Sequence, residues 1–255
     1  MAEPIEVNRS ALLGDLPHGF LGRSGGVSTG VVSGLNVGLG TGDEPAAVAE
    51  NRRRAVEAVQ PGTRLATVYQ VHSPDCVIVT EPWPDAMRPH ADALVTDRPG
   101  LLLGVVTADC APVLLADPVA GVIGAAHAGW KGAVGGVTDA TIVAMEALGA
   151  ERSRIVAAIG PCIAQSSYEV DAGFRGRFIA EDDANAAYFV AGRPEHFQFD
   201  LEGYVAHRLE AAGIGAVDLL GLDTYADADR FFSFRRATHR SEPDYGRQIS
   251  LIGLP

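Results

Sequence analysis

Two short segments of the chain contain residues that commonly bind transition metals. Cys110 lies in Thr-Ala-Asp-Cys-Ala-Pro, residues 107–112, and His127 begins His-Ala-Gly-Trp-Lys-Gly, residues 127–132. Apolar runs between them predict two strands joined by a turn at 117–120, and in that hairpin position 110 faces position 128. Facing Cα atoms in such a pair are about 4.5–5.5 Å apart. We therefore expect Cys110 and His127 to be neighbours.

His72 is a third candidate, because we expect it at the end of a strand that starts at Arg64 and stops before Pro74. Two imidazoles and a thiolate suit Zn²⁺, and three protein ligands leave one position for water or substrate. Asp109 is a candidate to brace a ligand or to transfer protons. The spacing itself contains no C-x-x-C or H-E-x-x-H pattern, so a purely structural role for these residues stays open.

The elements that must position these residues alternate between strands and helices. Asp43 as N-cap and Pro45 in the first turn predict a helix to Val59, and apolar spacing predicts another from Val137 to Leu148. Strands are predicted at 64–72, 101–107, 112–116, 121–126 and 155–159, with a closing pair at 231–235 and 248–252. The order predicts an α+β (mixed α/β) fold, one domain over residues 1–255, with mixed sheets flanked by helices.

Composition limits the class of protein. The chain has 255 residues, 47% hydrophobic and 20% charged, which is typical of a globular protein. Its net charge of −12 argues against nucleic acid and anionic lipid as partners. Three cysteines form no disulfide framework, and neither a signal sequence nor an apolar stretch of membrane-spanning length is present. We therefore expect a cytoplasmic protein with no membrane partner.

Ordered motifs cover nearly the whole chain. They occupy residues 25–30, 34–39, 50–52, 70–72, 91–96, 107–113, 127–132, 159–163, 168–170, 231–236 and 246–247. In these motifs the chain resembles the laccase-domain family, also called polyphenol oxidase-like or peptidoglycan editing factor proteins. The zinc ligands of that family fall on His72, Cys110 and His127. One departure is Asp223, which stands where family members often have the cysteine of a Cys-Thr-Tyr sequence, and this weakens any role proposed for that cysteine.

The resemblance implies an activity. Family members are described as purine nucleoside phosphorylases with adenosine deaminase side activity. The implied substrates are phosphate and adenosine, inosine or guanosine, with methylthioadenosine as a further candidate, and the implied cofactor is Zn²⁺ rather than copper. The zinc deaminase signature H-x-E with P-C-x-x-C is absent, so deamination rests on the resemblance alone. We expect a monomer or a small homo-oligomer.

Cationic and polar side chains in the motifs are candidates for the reaction. The catalytic candidates are Asp109, Arg52 and Lys131, and the substrate-binding candidates are Arg23, Asn36, Asn51 and Gln70. Arginine and lysine would hold phosphate, and the amides would bind ribose or base. The alternatives are that Arg52 belongs to a solvated helix face and that the asparagines satisfy turns and buried backbone.

Three other functions compete with this hypothesis. A copper oxidase would use the same ligand types, usually with an axial methionine. A cysteine hydrolase would use Cys110 as nucleophile and His127 as base, which fits a role in editing peptidoglycan precursors. A binding protein with structural zinc would need a fourth ligand, for which Cys162 and His239 are the candidates.

Overall fold

Two mixed β-sheets lie face to face in the computed structural model, which describes residues 4–255. The strands are β1 (Val7–Asn8), β2 (His18–Leu21), β3 (Arg64–Thr67), β4 (Cys76–Ile78), β5 (Ala93–Thr96), β6 (Leu101–Thr107), β7 (Ala111–Asp117), β8 (Val122–Ala128), β9 (Val156–Ile159), β10 (Glu169–Asp171), β11 (Phe189–Ala191), β12 (His196–Phe199), β13 (Ala216–Leu219) and β14 (Gln248–Gly253). The helices are α1 (Pro45–Val59), α2 (Trp130–Gly135), α3 (Val137–Ala147), α4 (Ala172–Glu181), α5 (Leu201–Ala211) and α6 (Phe234–His239).

The sheets have unequal sizes and mixed strand directions. The strand order is β1-β2-β14-β6-β3 in the first sheet and β13-β9-β7-β8-β5-β4 in the second, and β10-β12-β11 form a small third sheet. Leu103 of β6 packs with Leu114 of β7 and Ile123 of β8, so the inner faces of the two large sheets share one core. The predicted mixed α/β fold class is confirmed.

Helices cover both outer faces. Ala55 and Val56 of α1 pack on the outer face of the first sheet, while α3 and α5 pack on the outer face of the second. The protein therefore has four layers, α/β/β/α. Strand β6 is buried on both faces, which explains its continuous apolar run and confirms the bounds predicted for it.

Helix α1 starts and ends where the sequence predicts, but its N-cap differs. Glu44 occupies the N-cap position, so the assignment of Asp43 to it was wrong by one residue. The Asp43 carboxylate instead accepts hydrogen bonds from Ser28 Oγ at 2.6 Å and Asn36 Nδ2 at 2.8 Å. It therefore ties the glycine-rich loop to the start of the helix.

Two predicted strands differ from the structure. The strand from Arg64 ends at Thr67, so His72 lies in a loop and not at a strand end. The predicted strand at 231–235 is wrong, because Ser233 Oγ accepts the backbone N–H of Arg236 at 3.1 Å and caps α6. The Gln248 amide bonds the backbone N and O of Phe232, at 2.9 and 3.2 Å, and so replaces a strand ladder there.

The remaining predicted elements are close to those observed. The hairpin of β7 and β8 and the helix α3 are confirmed within one or two residues. Within residues 4–255, no helix is both long enough and apolar enough to cross a membrane. The expectation that residues 1–255 form one domain stays a prediction.

Candidate metal centre

Cys110 lies where the chain crosses from one sheet to the other. Strand β6 belongs to the first sheet and β7 to the second, so residues 108–110 bridge the two layers. Asp109 adopts a φ of 90°, which is uncommon for a residue other than glycine. Its Oδ1 accepts from Thr224 Oγ1 at 2.7 Å, and its Oδ2 accepts from the Arg235 backbone N–H at 2.6 Å. These bonds hold the crossing in place and thereby position Cys110.

The hairpin register differs by one residue from the predicted one. Ala111 pairs with Ala128, so Cys110 faces Gly129 instead of Ala128. A Cβ at Gly129 would lie 2.9 Å from Cys110 Sγ and 2.7 Å from His72 Cδ2. The missing side chain at position 129 therefore leaves the space in which the cluster's ligand atoms meet.

His72 is held by the loop around it. Its φ is 62°, in the left-handed region, which is costly unless neighbouring contacts fix it. The backbone N–H groups of Val71 and Ser73 both donate to Asp92 Oδ2, at 3.1 and 2.6 Å. The fully buried Asp92 carboxylate thus fixes the conformation that presents the imidazole.

The other oxygen of Asp92 orients His127. Asp92 Oδ1 lies 2.8 Å from His127 Nδ1, and both side chains are buried. Because this bond places the proton on Nδ1, the Nε2 lone pair is left for a metal, an arrangement common among metal-binding histidines. One carboxylate therefore positions two candidate ligands. Asp92 is not among the site residues predicted from the sequence, although it is the one carboxylate in the apolar 91–96 motif.

The donor geometry fits zinc. The ligand atoms of His72, Cys110 and His127 all lie within 4.8 Å of one another, which confirms that Cys110 and His127 are neighbours. The distance from Cys110 Sγ to His72 Nε2 is 3.8 Å. Zn–S bonds near 2.3 Å and Zn–N bonds near 2.1 Å at a tetrahedral angle require about 3.6 Å. Cys110 and His72 therefore need only a small adjustment to bind one ion.

No fourth protein ligand joins the cluster within the described residues. Cys162 is buried in the core under the second sheet, and His239 Nδ1 lies 2.9 Å from the Tyr225 hydroxyl. Three ligands with one open position are characteristic of catalytic rather than structural zinc sites.

Charges within the cluster reinforce one another. Burial acts to raise the pKa of the Cys110 thiol, but His127 and His72 outweigh it and lower that pKa to about 6. Burial acts to lower the pKa of His127, while Cys110 and Asp92 raise it to about 9. Near neutral pH Cys110 is therefore a thiolate, the form that binds a metal, and zinc would displace the Nε2 proton of His127 on binding.

Two cavities of different character meet at the cluster. The larger, of about 590 Å³, is lined by aromatic rings and by Lys131 and Arg235. The smaller, of about 310 Å³, is lined by polar groups that include Arg88 and Arg247. His72 and Cys110 line both cavities, so the cluster lies at their junction.

Some of the predicted site residues reach these cavities. Asp109 and Lys131 line the larger one. Gln70 lines the smaller one, but its amide bonds both the N–H and the carbonyl of Val106, at 2.8 and 2.7 Å. Its predicted contact with substrate stays a prediction.

The predicted arginines lie elsewhere. Arg52 donates to Thr67 Oγ1 at 2.9 Å and lines a separate cavity beside α1. Arg23 donates to the carbonyls of Ala228 and Ser33, both at 3.0 Å. Neither lines the larger or the smaller of the two cavities at the cluster.

Asn36 and Asn51 are fully buried and have hydrogen-bond partners within the fold. Asn51 Nδ2 donates to Ser28 Oγ and to the Asn36 carbonyl, both at 2.8 Å, and its Oδ1 accepts from the Val27 N–H. The two asparagines join the glycine-rich loop to α1, and neither lines a cavity that reaches the cluster. These contacts agree with the alternative in which the asparagines satisfy turns and buried backbone.

The fold and the site define a class: a four-layer α/β/β/α protein with an open His-Cys-His site. Residues 17–255 match the family model described as multi-copper polyphenol oxidoreductase laccase, and the chain belongs to that family. The family resemblance seen in the sequence motifs is thereby confirmed.

Relatives with known names and structures agree with this assignment. A Deinococcus radiodurans protein named purine nucleoside phosphorylase is 43% identical to this chain, over 94% of this chain and 90% of that protein. A Streptomyces coelicolor protein of the same name is also 43% identical, over 86% of this chain and 89% of that protein. A crystal structure of a Neisseria meningitidis protein of family DUF152 has a TM-score of 0.88 and 33% identity, covering 98% of both chains. A hypothetical protein of Bacillus licheniformis has a TM-score of 0.85 and 30% identity, covering 93% of this chain and 92% of that one.

Proposed function

We propose that this protein is a zinc-dependent purine nucleoside phosphorylase that cleaves adenosine, inosine or guanosine with phosphate. The observation that carries the proposal is the position of the His72–Cys110–His127 cluster at the junction of an aromatic cavity and a cationic one. Such a junction suits a reaction that joins two unlike substrates. The names of the relatives support the same activity.

The larger cavity suits the nucleoside. Trp130, Tyr168 and Phe174 line it, and the Trp130 and Phe174 rings lie 4.9 Å apart. Aromatic faces bind a purine ring by stacking, and a volume of about 590 Å³ is ordinary for a small-molecule site. The cavity also offers polar groups for ribose, among them His196 and Glu169.

In phosphorolysis, a phosphate oxygen forms a bond to C1′ of the ribose while the bond from C1′ to N9 of the purine breaks. The electron pair of the broken bond goes to the purine, which then takes up a proton. Zinc, when bound by the three ligands, would supply a Lewis acid that orients and polarises an oxygen. The remaining tasks fall to the protein's own residues.

Lys131 is suited to meet the charge that develops on the leaving purine, because it stands at the larger cavity on the first turn of α2. Both carboxylate oxygens of Asp109 are engaged in hydrogen bonds, so we assign it to positioning Cys110 rather than to proton transfer. Asp92 holds His127 and the loop of His72 in place.

Adenosine deaminase side activity belongs to the same proposal. A water oxygen would bond to C6 of adenine, and the amino group would leave as ammonia. The support for this reaction is the family resemblance and an open position in the donor set.

Product analysis tests the proposal. Purified protein incubated with adenosine and phosphate should release adenine and ribose 1-phosphate, and inosine would indicate deamination. His72→Ala, Cys110→Ala and His127→Ala should each lose bound zinc and phosphorolysis together. His207→Ala, an exposed histidine on α5, is the matched control and should keep both. Absence of ribose 1-phosphate in the wild type would overturn the proposal.

One observation favours a second candidate, a cysteine hydrolase. Cys110, His127 and Asp92 are ordered as nucleophile, base and orienting carboxylate. Chelation separates the two functions, since removal of metal abolishes the zinc reaction and spares a thiol nucleophile. Hydrolysis that survives chelation but is lost in Cys110→Ser would favour the hydrolase.

A copper oxidase has less support. Blue copper sites usually add an axial methionine, whereas Met87 is 73% exposed and Met145 is buried on α3. The third methionine, Met1, lies outside the described residues. Metal analysis with an oxygen-uptake assay on phenols distinguishes this function from phosphorolysis.

A further inference from the structure

The smaller cavity beside the cluster has a charge opposite to that of the whole chain. Its lining includes Arg88 and Arg247 and, among the residues described, no aspartate or glutamate. The chain as a whole has a net charge of −12. A local concentration of positive charge in an acidic protein favours an anionic ligand at that place.

The two arginines are held by neutral partners, so no carboxylate contact offsets their charge. The Arg247 guanidinium lies 4.5 Å above the Tyr245 ring, and its Nη2 donates to the hydroxyl of the same tyrosine at 2.9 Å. Arg88 donates to the carbonyls of Asp85 and Val68, at 2.8 and 3.3 Å. Neither forms an ion pair with a described residue, and stacking fixes the Arg247 fork in one plane.

Two donors at this cavity are buried without a partner. Thr107 Oγ1 and Arg247 Nη1 are inaccessible to solvent and have no hydrogen-bond partner within residues 4–255. Buried polar atoms are nearly always paired, so two unpaired ones on residues that line the same cavity require an explanation. An oxygen-rich anion would provide acceptors for both.

The glycine at position 38 contributes to this arrangement. A Cβ at Gly38 would lie 3.0 Å from Arg247 Nη1 and 3.1 Å from Thr41 Cγ2. A larger residue would therefore press on the guanidinium. The backbone approaches Arg247 closely only because position 38 has no side chain.

We propose that this cavity is a subsite for a tetrahedral oxyanion, with Arg247 and Arg88 as its cations and Thr107 as its hydroxyl donor. Arginine forks match the oxygens of such an anion in pairs. His72 and Cys110 line this cavity and the larger one alike, so the bound anion lies next to the ligand cluster and to the nucleoside cavity. The identity of the anion as inorganic phosphate rests on the proposed function, whereas the cationic subsite itself does not.

Kinetics and direct binding test the subsite on the zinc-loaded protein. Arg247→Gln should raise the KM for phosphate roughly ten- to a hundred-fold, as expected for loss of charge-assisted hydrogen bonds, with little change in the KM for adenosine or in zinc content. Arg247→Lys keeps the charge without the planar fork, so its KM for phosphate should lie between those of the wild type and Arg247→Gln. Thr107→Val, which keeps the shape of the side chain, should weaken phosphate binding by a smaller factor. Arg98→Gln, on an exposed arginine paired with Asp97, is the matched control and should behave as the wild type.

Calorimetric titration with inorganic phosphate, without nucleoside, separates this inference from the proposed function. If the wild type binds phosphate and Arg247→Gln does not, the subsite stands even when no phosphorolysis occurs. If phosphorolysis occurs but phosphate affinity and KM are unchanged in both Arg247→Gln and Arg88→Gln, the subsite is refuted while the activity stands. Absence of phosphate binding to the wild type also refutes it.

Discussion

Gly129 provides a sharp test of the cluster, because its backbone conformation suits any residue while the space around it has no room for a side chain. Its φ of −69° and ψ of 164° suit any residue, so alanine there causes no backbone strain. The new Cβ would nevertheless meet His72 Cδ2 at 2.7 Å and Cys110 Sγ at 2.9 Å. Ordinary contacts between such atoms are about 3.5–4.0 Å, so each ring or sulfur must move by roughly 1 Å.

The loss of stability and of zinc affinity depends on which neighbouring side chains can move away from the new Cβ. His72 is exposed on a loop and can move away, so we expect Gly129→Ala to lower the free energy of unfolding by only about 1–3 kcal/mol. The same displacement separates the ligand atoms. Substitution of residues that only support metal ligands lowers metal affinity by about 10–100-fold, so we expect Gly129→Ala to lower zinc affinity by at least that factor.

The assay is competition for zinc against a chromophoric chelator, with thermal unfolding measured in parallel. Gly135→Ala is the matched control, because it lies in the helix that Gly129 caps and its Cβ would meet only Pro74, whose nearest atom is 3.8 Å away. The control should bind zinc as the wild type does. Wild-type zinc affinity in Gly129→Ala would refute the position assigned to the ion.

Two further outcomes are expected. Asp92→Asn should keep the fold but lower zinc affinity about 10–100-fold, because His127 loses the carboxylate that fixes its tautomer; unchanged affinity in the chelator assay would contradict this. Asp117, buried at the β7–β8 turn, accepts from the Glu151 N–H at 2.8 Å and pairs with Arg154 at 2.9 Å, so Asp117→Asn should lower the free energy of unfolding by about 2–4 kcal/mol. Burial acts to raise the pKa of Asp117, but Arg154 and backbone N–H groups outweigh it and hold that pKa below its usual value. The stability that ionised Asp117 contributes is therefore present above the unfolded pKa of about 4 and is lost as pH falls through the folded pKa. Urea titrations of both proteins should show a constant difference from about pH 5 to 8 that shrinks below about pH 4, and a difference that grows on acidification would contradict the argument.

Local patterns in the sequence were sufficient for the elements with strong periodicity. The apolar run of β6, the hairpin that follows it and the helix α1 were predicted because each is specified by its own residues. The hairpin alone brought Cys110 beside His127, and an error of one residue in register did not matter because facing and adjacent positions are both close. The capping signal of Ser233 is also local, but the apolar residues around it favour a strand, which the structure does not contain.

The third ligand and its support depended on contacts distant in sequence. His72 was expected at a strand end, yet it reaches the cluster only through a left-handed loop conformation that Asp92 holds from another part of the chain. Likewise, nothing local distinguishes Arg247, which lines a cavity beside the cluster, from Arg52, which does not. Local patterns were therefore enough for most of the elements, for the chemistry of the donors and for the Cys110–His127 pair. Which cations and carboxylates meet there could not be predicted, because those contacts arise from the packing of two sheets whose strands are far apart in the chain.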